Sequence, residues 1–216
     1  MPESLRQNIS SAEPPVVGAI ILAAGASTRM GTPKQLLQFC GKPLLRHAVS
    51  PALEAGCRPV IVVIGADAAA SSESLRGLDV RKVENQQWQS GMSSSIRTGI
   101  DELVTVNPEA TAAVVMLCDQ PFVTSAIIAG LLSAYRETNC VIVASRYGNT
   151  YGVPALFSRA HFAELRELKG DEGAKQVIKR HLPEAHLSDF PNGEIDIDTP
   201  HDFARLQLMD YSGVSA

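Results

Sequence analysis

The chain has 216 residues, with 19 lysines and arginines against 23 aspartates and glutamates, and a formal net charge of −4. No block of like charge predicts binding to a nucleic acid backbone, so a small-molecule substrate is favoured. No apolar run approaches the roughly 20 residues that span a bilayer, and the N-terminus lacks the basic and apolar regions of a signal peptide. We therefore expect a cytoplasmic protein with neither a membrane nor a nucleic acid partner.

The length suits one domain with a substantial core. Residues 1–15 are polar, include Pro14-Pro15 and show no periodicity, which predicts a mobile leader. We place a single domain at residues 16–211 and a short tail at residues 212–216.

The spacing of cysteines and histidines predicts neither a disulfide framework nor a zinc motif. We interpret the four cysteines, which show no CxxC pair, as buried free thiols: Cys40, Cys57, Cys118 and Cys140. The five histidines show no HxxxH pair and are assigned to neither metal nor catalysis: His47, His161, His181, His186 and His201.

The first predicted element is a strand from Val16 to Leu22, whose apolar, β-branched run is typical of a central strand in a parallel sheet. The small residues that follow include Gly25, which lets the backbone turn and approach a ligand closely. Arg29 and Lys34 come next, so the segment offers amide donors and two cations to a polyphosphate. An ordinary strand-to-loop turn with solvated charges is the alternative, and neither GxxxxGK[ST] nor GxGxxG occurs here.

Strands and helices then alternate. Pro43 begins a predicted helix that ends at Gly56, and Pro51 should kink or interrupt it. Further strands are predicted at residues 59–64, 80–84 and 112–117, with helices at residues 66–76 and from residue 90 or 91.

The segment from Asn85 to Ser95 places several hydroxyls and amide groups at the start of that last helix. A helix N-terminus is a natural anion site, but serines there also serve simply as caps. The residues alone leave both interpretations open.

Asp119 follows the strand at residues 112–117. A carboxylate at the carboxyl end of a parallel strand lies where open α/β sheets bind ligands, so we predict a metal ligand. The alternative role is to cap the next helix, from Thr124 to Tyr135, although Thr124 fills that position better.

The closing segment carries Asp196 and Asp198 in alternation with two isoleucines, which predicts that both carboxylates share one face of a short strand. Asp198 is a metal ligand, a helix cap or a surface charge, and Thr199 could cap instead. Before it come a strand at residues 141–145 and helices at residues 158–168 and 171–182. The segment from Gly152 to Phe157 is either pocket lining or an edge strand that contains proline.

The string LAAGASTRMGTPK, from Leu22 to Lys34, resembles LAxGxxxRMGxxK, the signature of the MobA-like nucleotidyltransferases that attach a nucleoside monophosphate to molybdopterin. Five further segments resemble that family in the same order, between residues 18 and 206: GKPLL, N..W..G.SSS, GVPALF, GDEGAK and DIDTPHD. Alternating strands and helices already argue for a three-layer α/β/α domain. The resemblance implies a Rossmann-like, mostly parallel sheet of the nucleotide-diphospho-sugar transferase type.

The resemblance also implies a site. Its catalytic residues would be Arg29, Lys34 and Asp119, and Asp119 with Asp198 would bind Mg²⁺. The nucleotide would contact Leu22, Ala23, Ala24, Gly25, Arg29, Lys34, Asn85, Gly91, Ser93 and Ser94.

The reaction that the resemblance implies is transfer of CMP from CTP to the phosphate of molybdopterin, with release of pyrophosphate. The guanylyl branch has LAGG where this chain has Leu22-Ala23-Ala24-Gly25, and GPLxG where it has GMSSS, so CTP is favoured over GTP. The alternatives are a guanylyltransferase that uses GTP and an enzyme for another sugar or alcohol phosphate. A non-enzymatic carrier that delivers the cofactor to a molybdoenzyme or its chaperone is disfavoured, because a carrier has no use for a metal-triphosphate site.

Overall fold

A computed structural model describes residues 15–209, so the predicted leader lies outside it except for Pro15, and the predicted tail lies wholly outside. The strands are β1 (Val17–Ala23), β2 (Gln38–Phe39), β3 (Lys42–Pro43), β4 (Val60–Ile64), β5 (Arg81–Glu84), β6 (Ala112–Leu117), β7 (Ile142–Tyr147), β8 (Thr150–Ser158) and β9 (His186–Asp189). The α-helices are α1 (Leu44–Glu54), α2 (Ala68–Ser74), α3 (Met92–Val106), α4 (Ser125–Thr138), α5 (Phe162–Glu167), α6 (Lys175–Arg180) and α7 (Pro200–Leu208).

Seven of the strands form one sheet in the order β5-β4-β1-β6-β8-β7-β9, and β2 with β3 forms a separate hairpin. In the large sheet, β8 is antiparallel to both of its neighbours, and every other pair is parallel. The order reverses at β1, because the chain builds β4 and β5 on one side of it and β6 on the other. Ligands bind outside the carboxyl ends of the strands at such a point in open α/β sheets.

The central strand β1 explains the three layers. All seven of its residues are buried, and they point alternately into two apolar cores. Ala19 and Ile21 face the core that contains α1, α4 and α7, whereas Ile20 and Leu22 face the core that contains α3, α5 and α6. A strand covered on both faces needs a continuous apolar run, which confirms the predicted three-layer α/β/α arrangement.

Two local predictions were wrong. The helix α1 continues through Pro51 to Glu54, so Pro51 does not interrupt it as the sequence allowed. The segment with Asp196 and Asp198 is not a strand. Its backbone bonds to the loop after β6 instead of to a neighbouring strand, since Ile197 N donates to Asp119 O at 3.0 Å.

The segment from Gly152 to Phe157 lies inside β8, which is an internal strand and not an edge. Pro154 is tolerated because the register between β7 and β8 shifts beside it, between Ala144 and Ser145. All four cysteines are free, but Cys40 is exposed, since it occupies the left-handed turn (φ 45°) between β2 and β3. Within residues 15–209, no helix is both long and apolar enough to cross a membrane.

Candidate functional site

The loop after β1 folds back on itself and carries a lysine to the end of the sheet. Ser27, at φ 52°, accepts hydrogen bonds through its carbonyl oxygen from Met30 N (2.9 Å) and Gly31 N (3.2 Å). The Ser27 hydroxyl oxygen accepts from Lys34 N at 3.0 Å. These contacts fix the start of a 3-10 turn at Lys34 and direct its side chain toward the ends of the strands.

Gly25 and Gly65 have different roles at this loop. Gly25 is outside the left-handed region and a Cβ there would meet no described atom within 4 Å, so its side toward the cleft is open. A Cβ on Gly65 would lie 2.6 Å from Ala24 O, so glycine is needed where the end of β4 packs against the loop. Ala66 N also donates to Ala24 O at 3.0 Å. The open space beside Gly25 is compatible with the predicted close approach of a ligand, and the close packing of backbone within the protein is at Gly65.

Four of the predicted residues form one ion network, although they are far apart in the chain. Lys34 Nζ donates to Asp119 Oδ2 at 2.6 Å and to Asp198 Oδ1 at 2.9 Å. Arg29 Nη2 donates to Asp198 Oδ2 at 2.9 Å. The Arg29 side chain is 70% exposed, whereas those of Lys34 and Asp119 are 18% and 13% exposed. Lys34 is thus the interior cation of the network, and Arg29 lies at its rim.

The second oxygen of Asp119 has no such partner. Oδ1 is buried, and no described residue donates a hydrogen bond to it. A buried carboxylate oxygen without a donor is uncommon, because desolvation of an ionised oxygen is costly. Carboxylate oxygens are the ligands that Mg²⁺ and Mn²⁺ prefer, so the donor set of Asp119 and Asp198 fits a divalent cation.

The network sets the charge of its members. Burial alone would lower the pKa of Lys34, but the charge and hydrogen bond of Asp119 outweigh it and raise that pKa above its ordinary value. Burial opposes ionisation of Asp198, yet hydrogen bonds from Lys34 and Arg29 hold its pKa below the usual range. Burial, together with the smaller effect of the negative charge of Asp119, raises the pKa of the Cys118 thiol to about 12. Cys118 is therefore a neutral thiol at physiological pH and does not serve as a nucleophile.

A third carboxylate adjoins the network. Asp196 is exposed to solvent on one side. Partial desolvation of its carboxyl group is the largest cause that raises its pKa to about 7, and the negative charges of Asp119 and Asp198 add to it. Burial and the charge of Asp196 raise the pKa of Tyr147 to about 12, so this phenol is neutral. Gln120 is buried beside Asp196 and Tyr147, and its Nε2 donates to Gly193 O at 3.2 Å. Lys34 and Arg29 balance the charges of Asp119 and Asp198, and Asp196 adds a third carboxyl group that is partly ionised near neutral pH.

The observed helix caps exclude the capping roles that the sequence had left open for Asp119 and Asp198. Thr124, not Asp119, caps α4, since its hydroxyl accepts from Ile127 N. Thr199, not Asp198, caps α7, and Asp202 completes a capping box by accepting from Thr199 N at 2.9 Å. Asp119 and Asp198 are thereby left for the ion network.

A cleft of about 380 Å³ opens beside the network. It is lined by the loop after β1, the start of α3, the end of β6 and the segment before α6: Leu22, Ala23, Ala24, Gly25, Ala26, Ser27, Thr28, Lys34, Gln35, Trp88, Gln89, Gly91, Met92, Ser95, Leu117, Cys118, Asp119 and Asp171. The predicted contacts Leu22, Ala23, Ala24 and Gly25, together with Lys34, Gly91 and Asp119, are among them, whereas Arg29 and Asp198 are not.

Three predicted nucleotide contacts lie behind the wall of the cleft. Asn85 is buried, and its Nδ2 donates to Ser94 Oγ at 2.8 Å and to Ser95 Oγ at 3.0 Å. Ser93 N donates to Gly170 O at 3.1 Å, and Ser94 N donates to Gly91 O. Asn85 therefore fastens α3 to the end of β5, and the amides of Ser93 and Ser94 are already used within the protein.

The sequence did not single out several residues that the fold places here. Ser95, rather than its two neighbours, lines the cleft beside Met92, and Asp171 faces them from another segment. Gln120 and Tyr147 surround Asp196. A helical wheel would have shown that Ser95 and Met92, three residues apart, share a face, but no pattern in the sequence predicts the other contacts.

Comparison with known proteins shows which family and which proteins this chain resembles. The model of the MobA-like NTP transferase domain matches residues 19–185. Nicotine blue oxidoreductase of Paenarthrobacter nicotinovorans is 32% identical over 205 residues, which cover 89% of this chain and 97% of that protein.

Solved structures match over nearly the whole chain. Rv0371c from Mycobacterium tuberculosis H37Rv is 32% identical with a TM-score of 0.76, and the match covers 91% of this chain and 100% of that one. A complex of Rv0371c with manganese has a TM-score of 0.73 at 31% identity, with 90% and 99% of the two chains covered. A nucleotidyl transferase from Methanothermobacter thermautotroptrophicus has a TM-score of 0.74 at 22% identity, with 89% and 96% covered, which shows the fold alone. The sheet and its helices thus have the nucleotide-diphospho-sugar transferase fold.

Proposed function

We propose, from the premise that the chain belongs to the MobA-like NTP transferase family, that this nucleotidyltransferase transfers CMP from CTP to the phosphate of molybdopterin and releases pyrophosphate. One observation carries the proposal: Lys34 and two aspartates from distant segments meet at the end of a cleft whose wall is a loop of small residues. The product, a cytosine dinucleotide of the cofactor, would pass to a molybdoenzyme or its chaperone.

The reaction joins two anions, so its barrier comes largely from charge repulsion and positioning. An oxygen of the molybdopterin phosphate attacks the α-phosphorus of CTP and forms a new P–O bond. The bond from the α-phosphorus to the oxygen that bridges to the β-phosphate breaks, and pyrophosphate takes its electron pair. The protein supplies no nucleophile, in keeping with the neutral thiol of Cys118.

The cations of the site have separate roles in this scheme. Lys34 is buried and fully protonated, so it stabilises the charge that develops on the leaving pyrophosphate. Arg29 is at the exposed rim, from which it can contact the terminal phosphate as CTP enters. Both side chains exchange carboxylate partners for phosphate oxygens when the nucleotide binds.

Asp119 and Asp198 would hold the divalent cation, with Asp119 Oδ1 as a ligand that is free of other bonds among the described residues. Bound there, Mg²⁺ or Mn²⁺ supplies charge neutralisation for the triphosphate. Mg²⁺ is our proposed physiological ion, and the manganese complex of Rv0371c supports a divalent metal in this family.

The preference for CTP rests on two segments of the cleft. Ala24 and the run Gly91-Met92-Ser93-Ser94-Ser95 depart from the guanylyl pattern, and Gly91, Met92 and Ser95 line the cleft. Molybdopterin is the proposed acceptor, and another sugar or alcohol phosphate is the alternative.

The test is to incubate the purified protein with Mg²⁺, molybdopterin and each of the four nucleoside triphosphates in turn, and to measure released pyrophosphate and the dinucleotide product by mass spectrometry. We expect turnover with CTP, and none in the matched Asp119→Asn variant. Turnover with GTP alone would replace CTP in the proposal. Turnover with a sugar phosphate and not with molybdopterin would overturn the acceptor, and tight binding of molybdopterin without pyrophosphate release would support the carrier instead.

A further inference from the structure

Three ligand-type side chains meet on the helical layer that contains α5 and α6. His181 Nε2 lies 2.7 Å from Glu164 Oε2, and His161 Nδ1 lies 3.5 Å from the same oxygen. One nitrogen or oxygen of each residue lies within 4.8 Å of the others. The two imidazole rings are 4.6 Å apart at their centroids, with planes inclined by 60°.

The local fold explains why these residues converge. His161 ends a 3-10 turn, and Glu164 comes three residues later in the first turn of α5, so both project from the same side. His181 follows the last residue of α6, where its backbone N–H closes the helix by donating to Val177 O and Ile178 O. No HxxxH pair marks this cluster in the sequence, because the two histidines come from different helical segments.

His161 is the most buried residue of the cluster. It is only 9% exposed, and its Nδ1 faces Glu164 Oε2. The other ring nitrogen, Nε2, is buried without a hydrogen-bond partner among residues 15–209. Nδ1 is therefore the nitrogen that His161 offers to an ion beside Glu164.

Glu164 is held in a position that suits a ligand. Arg180 Nη1 donates to Glu164 Oε1 at 3.0 Å, which leaves Oε2 for the two histidines. A hydrogen bond to the outer oxygen of a ligating carboxylate is a common support in metal sites.

We propose that His161, Glu164 and His181 bind a single Zn²⁺ ion, at a site separate from the aspartates of the nucleotide cleft. Two imidazoles and a carboxylate are a zinc ligand set, whereas Mg²⁺ prefers oxygen ligands alone. Ligands of a tetrahedral zinc ion are about 3.3 Å apart. Glu164 Oε2 lies 2.7 Å and 3.5 Å from the two histidine nitrogens, and all three ligand atoms lie within 4.8 Å of one another. Binding therefore requires the side chains to adjust around the ion, which replaces the proton between His181 and Glu164.

The position of the site gives the ion a structural role. It would tie α5 to the end of α6, and the segment between these helices forms part of the wall of the cleft. Gly170 O accepts from Ser93 N, and Asp171 lines the cleft. Arg97 Nη2 donates to Leu168 O and joins the same segment to α3.

The test is metal binding to the full chain that carries Asp119→Asn and Asp198→Asn, so that the carboxylates of the cleft do not compete. Co²⁺ serves as the probe, because its visible absorption reports coordination geometry, and Zn²⁺ is then added as the competitor. We expect one equivalent of Co²⁺, displaced by Zn²⁺ and not by Mg²⁺. His181→Gln and His161→Gln should each weaken binding by more than about 100-fold, since even outer-shell changes cost 10- to 100-fold.

His201→Gln is the matched control, because His201 is an exposed histidine on α7 and should leave binding unchanged. Glu164→Gln keeps the size of the side chain and provides a second variant if loss of a histidine prevents folding. Zn²⁺ should also raise the Tm of the aspartate double variant, and should not do so once His181 is replaced.

Two results would overturn the site. One is Co²⁺ binding at a different place. Unchanged affinity in His181→Gln and Glu164→Gln would show this, and so would the near-ultraviolet charge-transfer band of a thiolate, which indicates a cysteine ligand. The other is the absence of any bound equivalent, which would leave the cluster as a hydrogen-bonded contact between two helices.

Discussion

Lys34 Nζ lies 2.6 Å from Asp119 Oδ2, a contact between residues 85 positions apart in the chain. Lys34 reaches this point because Ser27 fixes its backbone, and Asp119 because β6 runs parallel to β1 and ends beside it. The same ammonium contacts Asp198, so one cation links the first loop, the end of β6 and the segment before α7.

Lys34→Met keeps much of the length of the side chain and removes its charge. We expect kcat/KM for pyrophosphate release to fall by about 100- to 1,000-fold, as for loss of one preorganised donor to a developing anion. The Tm of the metal-free protein should also fall, because Asp119 and Asp198 lose their shared partner, and Mg²⁺ should restore part of that loss. Steady-state kinetics measures kcat/KM, calorimetry measures the affinity for CTP, which should also fall, and thermal unfolding with and without Mg²⁺ measures Tm.

Lys42→Met provides the control for that variant, since Lys42 is an exposed lysine on the β2–β3 hairpin. It should change none of the three quantities. Unchanged affinity for CTP in Lys34→Met would remove the phosphate role that we propose for this residue.

Asp119→Asn preserves shape and removes the ionised oxygen that has no hydrogen-bond partner among the described residues. We expect pyrophosphate release to be abolished at ordinary Mg²⁺ concentrations while circular dichroism and Tm show a folded protein, because the carboxylate serves the site and not the core. Asp189→Asn, at an exposed aspartate on β9, is the matched control. Wild-type turnover in Asp119→Asn would refute the metal assignment.

The sequence predicted most of the sheet because its central strands, such as β1, β4 and β6, are buried on both faces. A strand such as β6, with no polar residue from Ala112 to Leu117, can be identified from composition alone, and its predicted bounds agree with the structure. The resemblance then related Arg29, Lys34, Asp119 and Asp198, which the fold brings into one network.

Other features depend on contacts that no local pattern encodes. Asn85 belongs to a segment that resembles a nucleotide-binding motif, yet its amide is used by two serines of α3. The carbonyl oxygen of Asp119 holds the segment near Asp196, so that segment does not form the strand that its alternation predicts. His161 and His181 meet only because α5 and α6 pack together, and their spacing in sequence carries no sign of it.

The capping box at α7 gives a prediction about acid stability. The hydrogen bonds that Asp202 accepts from Thr199 lower its pKa below the ordinary 3.8. A carboxylate whose pKa is depressed on folding contributes stability that is present above the unfolded pKa and is lost as pH falls through the folded value. We therefore expect this contribution to be complete at pH 6 and to disappear progressively below about pH 4.

Asp202→Asn removes the titrating group but keeps an oxygen that can accept from Thr199. The difference in Tm between wild type and Asp202→Asn should be larger at pH 6 than at pH 3, and Thr199→Ala should reduce that difference, because it removes the hydroxyl donor. Thr199→Ala should itself cost about 1 kcal/mol through the lost helix cap. An equal difference at both pH values would show that the box does not depend on the charge of Asp202.

Gly91 combines a special backbone conformation with a close contact at the wall of the cleft. Its φ of 103° and ψ of 176° lie in a region that is essentially restricted to glycine, and a Cβ there would lie 2.3 Å from the Gly170 carbonyl. Gly91→Ala should therefore cost about 1–3 kcal/mol in backbone strain, and should also push the segment with Gly170 and Asp171 away from α3. We expect a higher KM for CTP in addition to a lower Tm.

Gly77→Ala separates these two effects. Gly77 has a φ of 82°, but a Cβ there would meet no described atom within 4 Å, so the variant has the backbone strain without the collision. It should lose about 1–2 kcal/mol of stability and keep the KM of the wild type. If Gly91→Ala and Gly77→Ala lowered Tm alike and neither changed KM, the contact between Gly91 and Gly170 would have no part in shaping the cleft.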